Sequence, residues 1–183
     1  MVEYAFVDDL SKLIEQAQEG DRDAFGQIYS LFFRRIYRYC QFNVESVQVA
    51  EDLCQETFLR AFGSFSSFSQ RQGGSFQAYL FRIARNLIID AKRKKKEIRL
   101  FEYQDIEQES DLDEQIEKKE ANQKLQEALA KLSEIERQVI ILRYFEEMTT
   151  AEVAKVINLR EGALRVRTHR ILKKLKAIIE KND

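Results

Sequence analysis

Arg82, Arg85, Asn86, Asp90 and Arg93, running into Lys94, Lys95 and Lys96, are the residues whose types and spacing most clearly suit chemistry on a partner. Guanidinium and ammonium groups neutralise phosphate, and an asparagine amide offers both donor and acceptor to a base edge. Interleaved with them, Leu80, Ile83, Ala84, Leu87 and Ala91 recur at spacings of three and four, the signature of a helix that buries one stripe. Such a helix packs on one side and offers cations and an amide on the other. A merely solvated basic face would have the same composition, and this segment alone does not separate the two.

A second constellation lies upstream. In the run from Val49 to Phe62, Ala50, Leu53, Cys54, Phe58 and Ala61 form a core stripe. Asp52, Gln55, Glu56, Leu59 and Phe62 lie along another face that mixes acids and an amide with large apolar side chains. Apolar anchors supply contact area and polar groups set register, so this face suits a partner helix; burial between two neighbouring helices also fits the pattern. The following Ser/Gly/Gln-rich loop, 63–75, carries Phe65 and Phe68, with Phe76 and Tyr79 just beyond. Rings on a polar loop can stack on unpaired bases for roughly 1–3 kcal/mol per base. That compares with about 1.4 kcal/mol per stacked step lost when a duplex opens. The alternative is that the rings fold back onto the core.

A third set closes the chain. Thr149–Ile157, then Asn158-Leu159-Arg160-Glu161-Gly162, then a helix from Ala163 read as a helix-turn-helix. Val153, Ala154 and Ile157 pack the first helix, Leu159 plugs the turn, and Leu164, Ile171, Leu172 and Leu175 pack the second. Asn158 tolerates the left-handed conformation that ends a helix. Arg165, Arg167, His169, Arg170, Lys173 and Lys174 then face outward, as a major-groove reader requires. An amphipathic hairpin with an exposed basic face is the simpler alternative.

These faces need helices to hold them, and the composition supplies helices. The 183 residues contain no proline and six glycines, 44% are hydrophobic and 33% charged. The expected fold is all-α, two small helical domains at 8–96 and 118–181 joined by an acidic flexible linker at 97–117. Helices are expected at about 9–19, stopped by Gly20, at 22–42, capped by Asp21 or Asp23, and from Ser46 to about Phe62. Ser133-Glu134-Ile135-Glu136 and Thr149-Thr150-Ala151-Glu152 match capping boxes, so helices should start near 133 and 149 among four short ones. The net charge of −1 conceals segregation. Residues 82–99 hold eight Lys/Arg against two acids, 101–117 eight acids and no base, and 160–176 seven Lys/Arg against one acid. Two basic patches joined by an acidic connector suit one anionic polymer gripped twice.

Other functions have little support. One histidine, His169, supplies no triad, no phosphate-binding glycine loop occurs, and Cys40 and Cys54 do not have metal-ligand spacing. A non-enzyme without metal or cofactor is expected. The opening residues are acidic and their apolar run is too short for a signal peptide, and no segment approaches about 20 apolar residues. A cytoplasmic protein that does not insert in membranes is expected.

Taken together the residues resemble the sigma-70 family of bacterial RNA polymerase initiation factors, in its compact extracytoplasmic-function (ECF) group. Ala50-Glu51-Asp52-Leu53-Cys54-Gln55-Glu56-Thr57-Phe58, Ile83-Ala84-Arg85-Asn86-Leu87-Ile88-Ile89-Asp90, and Leu129-Ala130-Lys131-Leu132 through Arg143-Tyr144-Phe145 carry the resemblance, over about 20–96 and 120–178. It implies that Asp52, Gln55, Glu56, Leu59 and Phe62 dock on the β′ clamp helices of core RNA polymerase, with further contact to the β subunit. It implies that the loop around Phe65–Phe76, with Asn86, Asp90 and Arg93, reads and melts the −10 element of promoter DNA. On the same basis Phe65, Phe68, Phe76, Tyr79, Arg82, Arg85, Asn86, Asp90 and Arg93 are the −10 candidates. Arg160, Arg165, Arg167, His169, Arg170, Lys173 and Lys174 are the −35 candidates. The acidic linker would thread toward the polymerase active centre, and an anti-sigma factor is a further expected partner. Departures from the family pattern are Tyr79 for tryptophan, Ser133 for proline, Asn158 for glycine, Arg160 where serine is common, and Ala163 and Val166 at positions often hydroxylated. The rival reading is a stand-alone helix-turn-helix regulator, which uses only the second block and gives the Asp52–Phe62 face no role.

Overall fold

The computed structural model describes residues 2–65, 68, 75–101, 125 and 127–180, with side chains described for these except 2–9 and 97–101. Every regular element among them is helical. The helices with both ends described are α1 (Val2–Gln18), α2 (Arg22–Gln41), α3 (Val47–Gly63), α4 (Phe76–Phe101), α5 (Glu134–Ile140), α6 (Thr150–Ile157) and α7 (Glu161–Glu180), and residues 127–130 are helical as well. The chain forms two compact units, Met1–Lys95 and Lys96–Asp183.

The local signals for helix ends act as their chemistry requires. Gly20 adopts φ +98°, and Asp21 N–H and Gly20 N–H donate to the carbonyls of Gln16 and Ala17 at 3.0 and 3.2 Å, which closes α1 in a Schellman motif. The Asp21 carboxylate then accepts from the backbone N–H groups of Asp23 and Ala24 and starts α2. Ser46 caps α3. Both capping boxes are present, Ser133 with Glu136 and Thr149 with Glu152. In the first unit two boundaries differ from expectation. α1 begins at Val2 rather than near residue 9. α4 continues through 97–101, because Glu97-Ile98-Arg99-Leu100-Phe101 contains helix formers and no breaker after the lysine run. The extended connector expected from residue 97 therefore cannot begin before 102, and residues 102–117 lie outside the described residues.

In the first unit Ile14, Ile28, Phe32, Ile36, Tyr39, Leu53, Phe58, Leu80, Phe81, Ala84, Leu87 and Ile88 are buried. α4 buries two interleaved rows, so Phe81 and Ile88 join the core, whereas Ile83 and Ala91 are only half-buried. Phe81 meets Tyr39 edge-on at 5.2 Å. Cys40 and Cys54 are free and buried. Burial pushes the Cys54 thiol up to about 12 and raises the Cys40 thiol further.

In the second unit Leu129, Leu132, Val139, Ile140, Ile141, Leu142, Met148, Val153, Val156, Ile157, Leu164 and Ile171 are buried. α5 runs directly into a π-helical turn, Ile141–Phe145, whose last carbonyl contacts are closed by Glu146 N–H to Ile141 at 3.0 Å. The Arg143 guanidinium donates to the Met148 carbonyl and holds the following bend. The closing helix, expected to be short and to start at Ala163, spans 20 residues from Glu161.

Candidate functional site

α3 separates two faces. Ala50, Leu53, Cys54, Phe58 and Ala61 are buried, while Asp52 and Gln55 are exposed, Leu59 is 67% exposed and Phe62 50%. The arrangement with α3 enclosed between two neighbours is therefore not the one adopted. Phe62 keeps one edge on Phe25 at 4.6 Å, which limits its rotamers before any partner arrives. Glu56 accepts from Arg60 at 2.7 Å, so its carboxylate is oriented along the helix. An acidic rim around two protruding apolar side chains can take a basic, amphipathic partner.

The aromatic cluster corrects an expectation. Phe65 and Phe76 are each 3% exposed and are not presented to a base; Phe68 and Tyr79 are half-buried. Phe76 stands 5.5 Å from Phe65, 5.3 Å from Phe68 and 5.6 Å from Phe32, all edge-on. Each ring removes about 150–250 Å² from water when buried, more than an exposed loop could retain. Gln18 of α1 pins the segment, donating to the carbonyls of Phe65 and Phe68 at 3.0 and 2.6 Å. The Tyr79 hydroxyl shares a hydrogen bond with Ser64 at 2.7 Å and donates to the Ala61 carbonyl at 3.3 Å. Phe65 and Phe76 thus pack on Phe25 and Phe32 of α2. Residues 66, 67 and 69–74 of the 63–75 loop lie outside the described residues.

Along α4, Arg82, Asn86 and Arg93 are exposed on one row, with Arg85 and Asp90 half-exposed beside it. Asp90 lies 3.5 Å from Arg93, close enough to aim that guanidinium. Of the lysines beyond, Lys95 is drawn back to Glu45 at 2.5 Å, a contact across 50 residues that ties α4 to the α2–α3 connection.

In the second unit Asn158 takes φ 59°, ψ 51°, and its neighbour Leu159 N–H donates to Ala154 at 2.9 Å, which ends α6 and turns the chain into α7. Arg160, Arg165, Arg167, His169, Arg170, Lys173 and Lys174 are all exposed. Two of these cations have acidic partners. Arg165 meets Glu161 at 2.6 Å, and Lys174 meets Glu136 of α5 at 2.6 Å. Glu136 is also the carboxylate of the α5 capping box, accepting from Ser133 N–H at 2.8 Å. The hydrogen bond from Lys174, with those from Ser133, holds the Glu136 carboxyl below the ordinary glutamate range. A lowered folded-state pKa contributes stability that is present above the unfolded value and lost as pH falls through the folded one. E136Q should therefore flatten the acid limb of the second unit's thermal stability below about pH 4.3, read by melts between pH 3 and 7. An unchanged acid limb would remove this coupling.

Among the described residues no group of three His, Cys, Asp or Glu side chains could hold a metal ion, and no helix is long and apolar enough to cross a membrane. Lys95 and Lys174 return to acids 50 and 38 residues away, pairings that no local window of sequence contains.

Comparison with known proteins gives these faces a context. Residues 28–98 match the Sigma-70 region 2 family model, and residues 122–175 match Sigma-70, region 4. The chain is 34% identical over 173 residues to the ECF RNA polymerase sigma factor SigW of Bacillus subtilis, covering 88% of this chain and 91% of SigW. It is 33% identical over 174 residues to the ECF RNA polymerase sigma factor BldN of Streptomyces coelicolor, covering 93% of this chain and 66% of BldN. The fold is similar to that of CnrH in its complex with the cytosolic domain of CnrY, with a TM-score of 0.72 at 25% identity, covering 93% of this chain and 97% of that one. Two helical units with separate exposed faces, matched in order to regions 2 and 4, belong to the sigma-70 family: the chain is an ECF-group RNA polymerase sigma factor, a transcription initiation factor that directs polymerase to promoters.

Proposed function

We propose that the three exposed faces divide the work of initiation. Asp52, Gln55, Glu56, Leu59 and Phe62 dock on the β′ clamp helices of core polymerase. Arg82, Arg85, Asn86, Asp90 and Arg93 engage the −10 element, where Asn86 serves base selection, Asp90 supports it, and the arginines hold phosphate. Phe68 and Tyr79, half-buried, are the rings that an opened strand can reach, and the buried Phe65 and Phe76 support them from the core. Arg160, Arg165, Arg167, His169, Arg170 and Lys173 of α7 engage the −35 element, with Lys174 oriented by Glu136. Modules 8–96 and 118–181 are the two DNA-binding parts, and the acidic residues between them lie along the polymerase. The protein carries no phosphodiester chemistry itself and acts in the cytoplasm. CnrH forms a complex with the cytosolic domain of CnrY, and an anti-sigma factor is the further partner expected for this chain.

The observation that supports this reading most is the exposure of Leu59 and Phe62 beside acids on a helix whose opposite side is fully buried. A stand-alone DNA-binding regulator has no use for that face. Reconstituted transcription tests it. Core polymerase with the full chain should yield transcripts from discrete genomic starts that core alone does not give. Operator binding by residues 118–183 without polymerase, with no effect of the chain on core, would overturn the reading.

A further inference from the structure

The exposed cations of α7 are interrupted near its start by Val166. Val166 is 55% exposed. It points away from the side that buries Leu164 and Ile171, and Gly162, His169 and Arg170, all exposed, lie one turn from it on the same face. Leu172 and Ile179, the other large apolar side chains exposed on α7, lie nearer the packed side. Packing therefore gives no reason for a β-branched residue at 166, and helix propensity disfavours it. Gly162 is also unexplained by the fold. A Cβ built there meets nothing within 4 Å, and its φ requires no glycine. Gly162, with the small Ala163 beside it and an exposed valine one turn on, leaves a shallow place next to Arg165, Arg167 and Arg170, where a groove edge can approach closely.

A helix lying in the major groove meets one apolar feature on the base edges, the thymine 5-methyl group. We propose that Val166 contacts a thymine 5-methyl group in the −35 element, with Gly162 allowing the close approach, so that this side chain selects thymine at that position. The inference rests on α7 being the −35 reader. The exposed Arg165 and Arg167 beside Val166 can neutralise phosphate or reach guanine but carry no apolar contact, which the valine adds.

The experiment uses the full chain with core polymerase on the genomic promoter fragment that it transcribes most strongly. Each −35 thymine is replaced singly by 2′-deoxyuridine, which removes only the methyl group. At one position the wild type should lose open-complex formation about three- to fivefold, the worth of one buried methyl. V166A should show no further loss from that replacement and should match the wild type on the deoxyuridine template. The exposure of Val166 makes misfolding of V166A no concern, and a melt verifies it. A wild type indifferent to every single replacement, or a V166A variant with full sensitivity, overturns the inference. The R167Q/R170Q variant separates the two levels. If it is weakened while the deoxyuridine series is flat, α7 still reads the −35 element and Val166 does not select thymine. If it binds like the wild type, the reading of α7 fails and takes the inference with it.

Discussion

Reversing charge at Asp52 and Glu56 together (D52K/E56K) is expected to weaken binding to core polymerase about 100-fold or more and to abolish promoter-directed transcription. Like charges forced together across an interface cost several kcal/mol, and each 1.4 kcal/mol is about tenfold. The fold should tolerate the change. Asp52 is exposed, and the Glu56–Arg60 pair is a solvent-facing i,i+4 contact with side chains 42% and 55% exposed. Such pairs contribute about 0.3–0.5 kcal/mol, so Tm should fall by no more than about 4 °C. The readouts are core affinity by fluorescence titration and run-off transcription, with binding of −35 duplex as the control that should not move. Wild-type core affinity in a folded variant would remove the α3 face from the docking surface.

The second large effect concerns folding. Phe81→Ala should destabilise the first unit by about 3–5 kcal/mol, the usual range for a buried phenylalanine. Phe81 is fully buried, its ring meets Tyr39 edge-on, and the Arg35 guanidinium stands 5.8 Å above it. A domain of this size has on the order of 5–14 kcal/mol in total, so the loss is a large share. Calorimetry should show one transition moving down by more than about 12 °C while the other stays. Two transitions that move together would mean that the compact units do not unfold separately.

These two residue sets illustrate what a linear sequence discloses. The α3 faces were legible because a helix sorts residues by local spacing, and Leu53 and Leu59 fall on opposite sides whatever else the chain does. Caps were legible for the same reason: Ser133 with Glu136, Thr149 with Glu152, and Asn158 act within four residues. Phe81 falls outside the single stripe that spacings of three and four trace, whereas α4 buries two rows. The aromatic loop misled for a different reason. Its serines and glycines suggested exposure, but Phe65 and Phe76 are covered by Phe25, Phe32 and Gln18, about forty to sixty positions away. Lys95 and Lys174 likewise have partners 50 and 38 residues distant. Cations that local composition assigned to phosphate are in part structural ties. The π-turn at Ile141–Phe145 has no periodic signature; it is set by the bend that Arg143 and Met148 close.

The buried thiols offer a gauge of how firmly one half of the molecule is closed. Cys40 and Cys54 are the chain's two cysteines, and both lie in the first unit. Only a thiolate attacks an alkylating reagent, and burial keeps both groups protonated far above neutral pH. Labelling must therefore wait for an opening that uncovers α2 and α3, so its rate reports the free energy of such openings in the first unit. A ligand that binds only the closed form slows the reaction in proportion to its occupancy. Mass-resolved alkylation of these two sites would thus report engagement of the α3 face in the unmodified chain, without a fluorophore or a tag.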